Sequence, residues 1–160
     1  MRKKRKFGYF FVDLFFICNF GAVNKTHLTM TLTQVSVFIE NKPGRTGEVI
    51  KILAENNINV LAFSQSDGKE FGIFRLIVNE VAKAVTVLKE ASLAVMTTEV
   101  FAVECPNTTG SLAKILSDLS ENEISIDYMY AFQYENLSKA IIRAKKMDAC
   151  KEVLKKCGWA

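Results

Sequence analysis

Histidine is almost missing from this chain: the one copy, His27, stands near the start with no second imidazole to share a metal ion. From residue 30 onward there is none, and no paired carboxylates, phosphate-cradling glycine loop or activated cysteine pattern takes its place. Acid–base and nucleophilic chemistry have no visible carrier, so an enzyme is not expected. Cysteine is sparse as well. Cys18, Cys105, Cys150 and Cys157 form no Cys-x-x-Cys pair, which speaks against zinc. Cys105 sits in an apolar alternation, and Cys150 and Cys157 follow a helical spacing, so they read as small core residues kept reduced in a cytosol. No metal and no cofactor is expected.

A basic footprint is also lacking where it would matter. The formal charge is +4, but Met1 to Thr29 holds six Lys/Arg and one Asp, whereas the remainder holds 15 Lys/Arg against 16 Asp/Glu. The part with a folding pattern is slightly acidic, which argues against nucleic acid. The first 29 residues carry Arg2-Lys3-Lys4-Arg5-Lys6 and then the apolar Phe7 to Phe20, interrupted by Asp13. That is signal-like, but the run is short of the ~20 residues of a membrane span and no good cleavage site follows. A misassigned start with translation from Met30 is favoured over a signal, an anchor or a disordered tail. On each reading residues 1–29 are a leader outside the fold, and the protein is expected in the cytoplasm and off the membrane.

What is present is a repeat. At an offset of 66 residues Val37, Asn41 and Gly44 meet Val103, Asn107 and Gly110, and Leu53, Glu55, Asn56 and Ile58 meet Leu119, Glu121, Asn122 and Ile124. Val35, Val37 and Ile39 alternate as a half-buried strand. Val49, Ile50 and Leu53, and again Leu112, Ile115, Leu116 and Leu119, make single-faced helices. Ile58 to Ser66 and Phe71 to Val78 read as strands around an Asp67-Gly68 turn. Val81 to Leu88 reads as a second helix and Leu93 to Thr97 as a short last strand.

The order β-α-β-β-α-β predicts an α+β fold of two ferredoxin-like modules, residues 30–95 and 96–160, each an antiparallel sheet with its helices on one face. Phe74, Leu76 and Val78, like Ala140, Ile142 and Ala144, should face the helices. Ile73, Arg75 and Ile77, like Lys139, Ile141 and Arg143, should face away. Tyr128, Tyr130, Phe132 and Tyr134 share a strand face. Packing against another module explains that stripe better than stacked RNA bases.

Glu40-Asn41-Lys42-Pro43-Gly44-Arg45, Ile52-Leu53-Ala54-Glu55-Asn56-Asn57-Ile58-Asn59-Val60, Phe71-Gly72-Ile73-Phe74-Arg75-Leu76 and Tyr128-Met129-Tyr130-Ala131-Phe132, taken in order, resemble the tandem ACT-domain proteins. The resemblance covers residues 30–160. It implies a regulatory, allosteric role in which modules pair side by side and hold an amino acid at the seam, near the first strand–helix loop and the second strand. Carried over, it points to Asn41, Gly44, Arg45 and Thr46 in the first unit and Asn107, Gly110 and Ser111 in the second. Ser64 and Tyr130 are their second-strand neighbours. Two departures stand out: Asn107-Thr108-Thr109-Gly110 has no proline, and Ala94 maps onto Ala160, where the second module's last strand should begin.

A glycine turn feeding a helix can present free N–H groups to a carboxylate. From the residues alone the plainer reading is that the asparagines satisfy their own turns and the glycines adopt positive φ; the resemblance tips the balance toward a ligand. Two functions remain. One is a sensor of an amino acid or similar metabolite at the interface of two modules. The other is a regulatory subunit that docks on an amino-acid biosynthetic enzyme without tight ligand binding of its own. The missing last strand would also leave Val100 to Cys105 as an open edge, which predicts self-association, a dimer or larger homo-oligomer.

Overall fold

The computed structural model describes residues 29–66, 68, 70–134 and 137–159, without the side chains of 133, 134 and 137. The readings made for residues 1–28, Asp67, the Tyr134 side chain and Ala160 lie outside the described residues. The element order is β1 (Thr29–Glu40), α1 (Arg45–Glu55), β2 (Val60–Ser66), β3 (Phe71–Val78), α2 (Val81–Glu90), β4 (Ala94–Pro106), α3 (Ser111–Glu121), β5 (Ile126–Tyr134), β6 (Leu137–Ala144) and α4 (Met147–Lys156). The strands form one antiparallel sheet in the order β2-β3-β1-β4-β6-β5.

The duplication is written into the backbone. The bounds of α1, β3 and α2 recur 66 residues on as those of α3, β6 and α4. So do the left-handed residues: Gly44 and Gly110, Asn57 and Glu123, Ser92 and Gly158 all have positive φ. The last four of these follow helix ends. Ser92 N donates to Lys89 O at 2.9 Å and Leu93 N to Leu88 O at 3.0 Å, the paired bonds of a Schellman stop, and Gly158 and Trp159 repeat them. At φ 60 a serine pays the Cβ clash that Gly158 avoids. Ser92→Gly is therefore expected to stabilise the fold by about 1 kcal/mol and raise a thermal midpoint by roughly 2–4 °C; a lower midpoint would contradict this.

Each helix pair covers one half of the sheet. Val49, Leu53, Ala84 and Leu88 meet Val35, Val37, Phe74 and Leu76 in the first core. Ile115, Leu119, Cys150 and Leu154 meet Phe101, Val103, Ala140 and Ile142 in the second. The phases expected for Phe74, Leu76, Val78, Ala140, Ile142 and Ala144 hold, since all six are buried on the helix side.

Two expectations need correcting. The strand expected to end at Thr97 does not end there, because Ala94–Pro106 is one strand of 13 residues that serves both units. The edge expected at Val100–Cys105 is not open either: Thr29–Leu32 pairs with Val103–Val100 on one side of β4, and β6 pairs on the other. The first strand of unit one thus fills the fourth-strand place of unit two. Thr29 belongs to the sheet, one residue earlier than the boundary read at Met30. Self-association argued from an open β4 loses its ground; among the described residues the terminal strands are β2 and β5.

The β1–β4 pairing is symmetric about Thr33↔Glu99, and the repeat offset carries Thr33 onto Glu99 itself, so a pseudo-two-fold axis passes through this pair. Around that ribbon the sheet folds over. In a flat sheet β3 and β5 would stand roughly 19 Å apart, yet the Arg75 guanidinium lies 4.2 Å from the centre of the Tyr128 ring. The helix-free faces of the two halves close on each other around Ala62, Ile77, Val100, Ala102 and Ile141, with Tyr128, Tyr130 and Phe132 packed against them. The aromatic stripe therefore faces the other unit, as its reading expected. Gln34 is fully buried here: its Nε2 donates to Tyr128 Oη (2.8 Å) and Ser36 Oγ (3.0 Å), and its Oε1 accepts from Tyr130 Oη (3.0 Å).

Candidate functional site

In the first unit the chain leaves β1 through Asn41 to Pro43 and turns on Gly44 at φ 89, the N-cap of α1. A Cβ at Gly44 would meet nothing within 4 Å, so glycine is demanded by the backbone angle and the space in front of it is open. No side chain caps this helix start. Its first-turn N–H groups, with the positive end of the helix dipole behind them, face outward from Thr46 and Gly47.

The flanking side chains are partly committed. Asn41 Nδ2 donates to Gly68 O, and Asn41 N to Glu70 O at 3.0 Å, so the asparagine ties the strand end to the β2–β3 turn. Arg45 Nη1 donates to Glu48 Oε2 at 2.6 Å, and its Nε, buried without a hydrogen-bond partner, lies 3.9 Å from Glu40 Oε2. Thr46 Oγ1 donates to Gln65 Oε1 on β2 at 3.0 Å.

From Thr46 an open groove of about 480 Å³ runs between α1 and β2, lined by Ile50, Ala54, Ile58, Val60, Phe63 and Phe74. Phe63 is 67% exposed although its ring packs edge-on against Phe74, and Ile50 is 38% exposed. Neither was among the expected site residues: Ile50 read as part of the helix's core face and Phe63 as part of a strand, and their signal was apolar residues on the rows next to the named loop.

The second unit repeats the backbone but not the opening. Gly110 has φ 91 before α3, also without a side-chain cap. Here Thr108 Oγ1 and Ser111 Oγ share a hydrogen bond of 2.8 Å, and Ser138 Oγ donates to Asn107 Oδ1 at 3.3 Å, so the loop polar groups serve their own turn. The position matching Thr46 is Leu112.

The nine candidate residues do not converge on one place. The two loops lie beyond opposite ends of the β1–β4 ribbon, each beside its own hairpin and not against the second strand of the other unit. Tyr130 points into the inner face, where burial first, and then the neighbouring Tyr128, raise its pKa well above the usual phenol range, opposed by Arg75. Ser64 shares that helix-free face, opposite Arg75 in the ladder. Two of the thiols are poor nucleophiles: burial pushes Cys150 up to about 11, and burial and then Glu104 raise Cys105.

Two interlocked ferredoxin-like units, each starting its first helix on a left-handed glycine beside a hairpin, define a duplicated α+β module. The chain belongs to the ACT-domain family: the family model for an ACT domain pair matches residues 30–158. Among solved structures it is similar to protein BT0572 from Bacteroides thetaiotaomicron, at 44% identity over 80% of this chain and 89% of that one, with a TM-score of 0.76. It also resembles the regulatory subunit of aspartate kinase from Thermus thermophilus, ligand-free form (18% identity, 83% and 99% of the chains, TM-score 0.59). The corresponding subunit from Thermus flavus is similar too (16%, 83% and 99%, TM-score 0.56). At the two lower identities the likeness is one of fold. No curated protein sequence matches. Among the described residues no helix is long and apolar enough to cross a membrane.

Proposed function

We propose that the protein is a regulatory module that senses an amino acid with an apolar side chain, held at the start of α1. The observation that carries this reading is the continuity of an uncapped helix start with an apolar groove. The carboxylate sits against the N–H groups after Gly44, Thr46 supplies a hydroxyl, and the apolar side chain lies along Ile50 and Phe63. Gly110 and Ser111 mark the matching place in unit two, where Leu112 replaces the hydroxyl. The groove lies along β2, a terminal strand, so a second module edge can complete its outer wall. The fold likeness to regulatory subunits supports regulation over catalysis.

A second reading is favoured by Phe63 and by Phe71, 56% exposed, beside the same edge: a subunit that docks on a biosynthetic enzyme through β2. A thermal-shift screen of the twenty amino acids on the protein alone separates the two. The sensor responds to an apolar amino acid, and Gly44→Val abolishes the response because valine cannot hold φ 89. Lys51→Ala, at an exposed ion pair with Glu55, leaves it intact. No response to any apolar amino acid leaves the docking reading in its place.

A further inference from the structure

The inner trough is symmetric in backbone and asymmetric in chemistry. At one end Leu32, Leu61, Ala62, Ile77, Ala102 and Ile141 close into the inner apolar cluster. Their counterparts 66 residues away are Thr98, Asp127, Tyr128, Arg143, Ser36 and Arg75. These six line a cavity of about 540 Å³ at the other end. One scaffold position, filled by hydrocarbon in one copy, is thus a polar space in the other, within the size range of small-ligand pockets.

Two guanidiniums reach this space from opposite walls. Arg75, on β3, lies over the Tyr128 ring and donates from Nη1 to Ser66 Oγ at 2.8 Å. Arg143, on β6, donates from Nη1 to Glu99 O at 3.0 Å, and its Nε is 4.0 Å from Asp127 Oδ2. Each guanidinium carries five N–H donors, more than these contacts use. Glu99 contributes its carbonyl, while strand alternation sends its exposed side chain to the opposite face. Two arginines against one aspartate leave the pocket positive.

We infer that this cavity is a second binding site, for a small organic carboxylate, with Arg75 and Arg143 as its anion clamp and Asp127 as the acceptor for an ammonium group where the ligand has one. Planar bidentate recognition of carboxylates is what guanidinium provides best. The site is independent of the groove at Gly44.

The test is calorimetry of the full chain with glutamate, succinate and inorganic phosphate. Both carboxylates are expected to bind. Arg143→Ile, which installs the residue found at Ile77, should keep the fold and weaken binding about tenfold to a hundredfold, whereas Gly44→Val should leave it unchanged. Arg75→Ile should act like Arg143→Ile. Heat from phosphate alone, no heat with any of the three, or affinity in both arginine variants unchanged from the parent chain would overturn the inference. So would carboxylate binding lost in Gly44→Val but kept in Arg143→Ile, since that assigns the anion to the helix start.

Discussion

A chain beginning at Gln34 is expected to melt far below one beginning at Thr29, although the two differ by only five residues. Those five hold the strand pairing that closes unit two, Thr29–Thr33 against Val103–Glu99. Their loss removes Met30 and Leu32 from the inner cluster, each worth about 1–2 kcal/mol for a partly buried side chain. It also removes ladder hydrogen bonds worth roughly 0.5–1.5 kcal/mol each. A loss of about 4 kcal/mol or more lowers the midpoint by roughly 8–16 °C. The bared edge at Val100–Val103 should also drive association at high concentration, detectable by light scattering. A chain beginning at Thr29, by contrast, should melt with the full chain. Equal midpoints for starts at Thr29 and Gln34 would show that β1 does not complete the second unit.

Trp159→Ala should be nearly as damaging. This is the one tryptophan of the chain, and it is 4% exposed at the bottom of the second core. Its Nε1 donates to Asp118 Oδ2 at 2.6 Å, its N to Leu154 O at 2.8 Å, and its carbonyl accepts from Thr29 Oγ1. The Lys114 ammonium stands 5.6 Å from the ring centre. Truncating a buried tryptophan costs about 3–5 kcal/mol. Circular dichroism should show the midpoint fall by roughly 6–20 °C, and Trp159→Phe, which refills most of the volume, should recover much of it. An unchanged melt in the alanine variant would mean that the residue only rests on the surface of α3.

How far the sequence discloses this molecule depends on the range of the interaction involved. Helix phases, strand faces and the left-handed turns at Gly44 and Gly110 rest on neighbours within a few residues, and the 66-residue offset states them twice. The interlock of the units was not legible. Thr97, Thr98 and Glu99 interrupt the apolar pattern and read as a break, but their backbones stay in the ladder because Val35, Gln34 and Thr33 lie opposite. That pairing joins residues far apart in the chain and leaves no local mark.

The candidate site divides in the same way. The open glycine turn was readable, but Asn41 is drawn to the β2–β3 turn by a contact 27 residues away. Tyr130 is drawn to Gln34 across 96. Gln34 gave no such signal, because it stands on the strand phase opposite Val35, Val37 and Ile39, and its burial comes from the other unit closing over that face. For Arg75 and Arg143 the signal lay in comparing the halves, where each arginine meets an isoleucine.

The most direct measurement of the central claim is titration calorimetry of each apolar amino acid, to millimolar concentration, into the protein alone. The account predicts heat with at least one of them. At a hundredfold excess over Kd, about 2.7 kcal/mol of linkage should raise the melting midpoint by several degrees, and Gly44→Val should remove the signals that persist in Arg143→Ile. Absence of heat with every apolar amino acid, or binding that survives Gly44→Val unchanged, would contradict a sensor built on the start of α1.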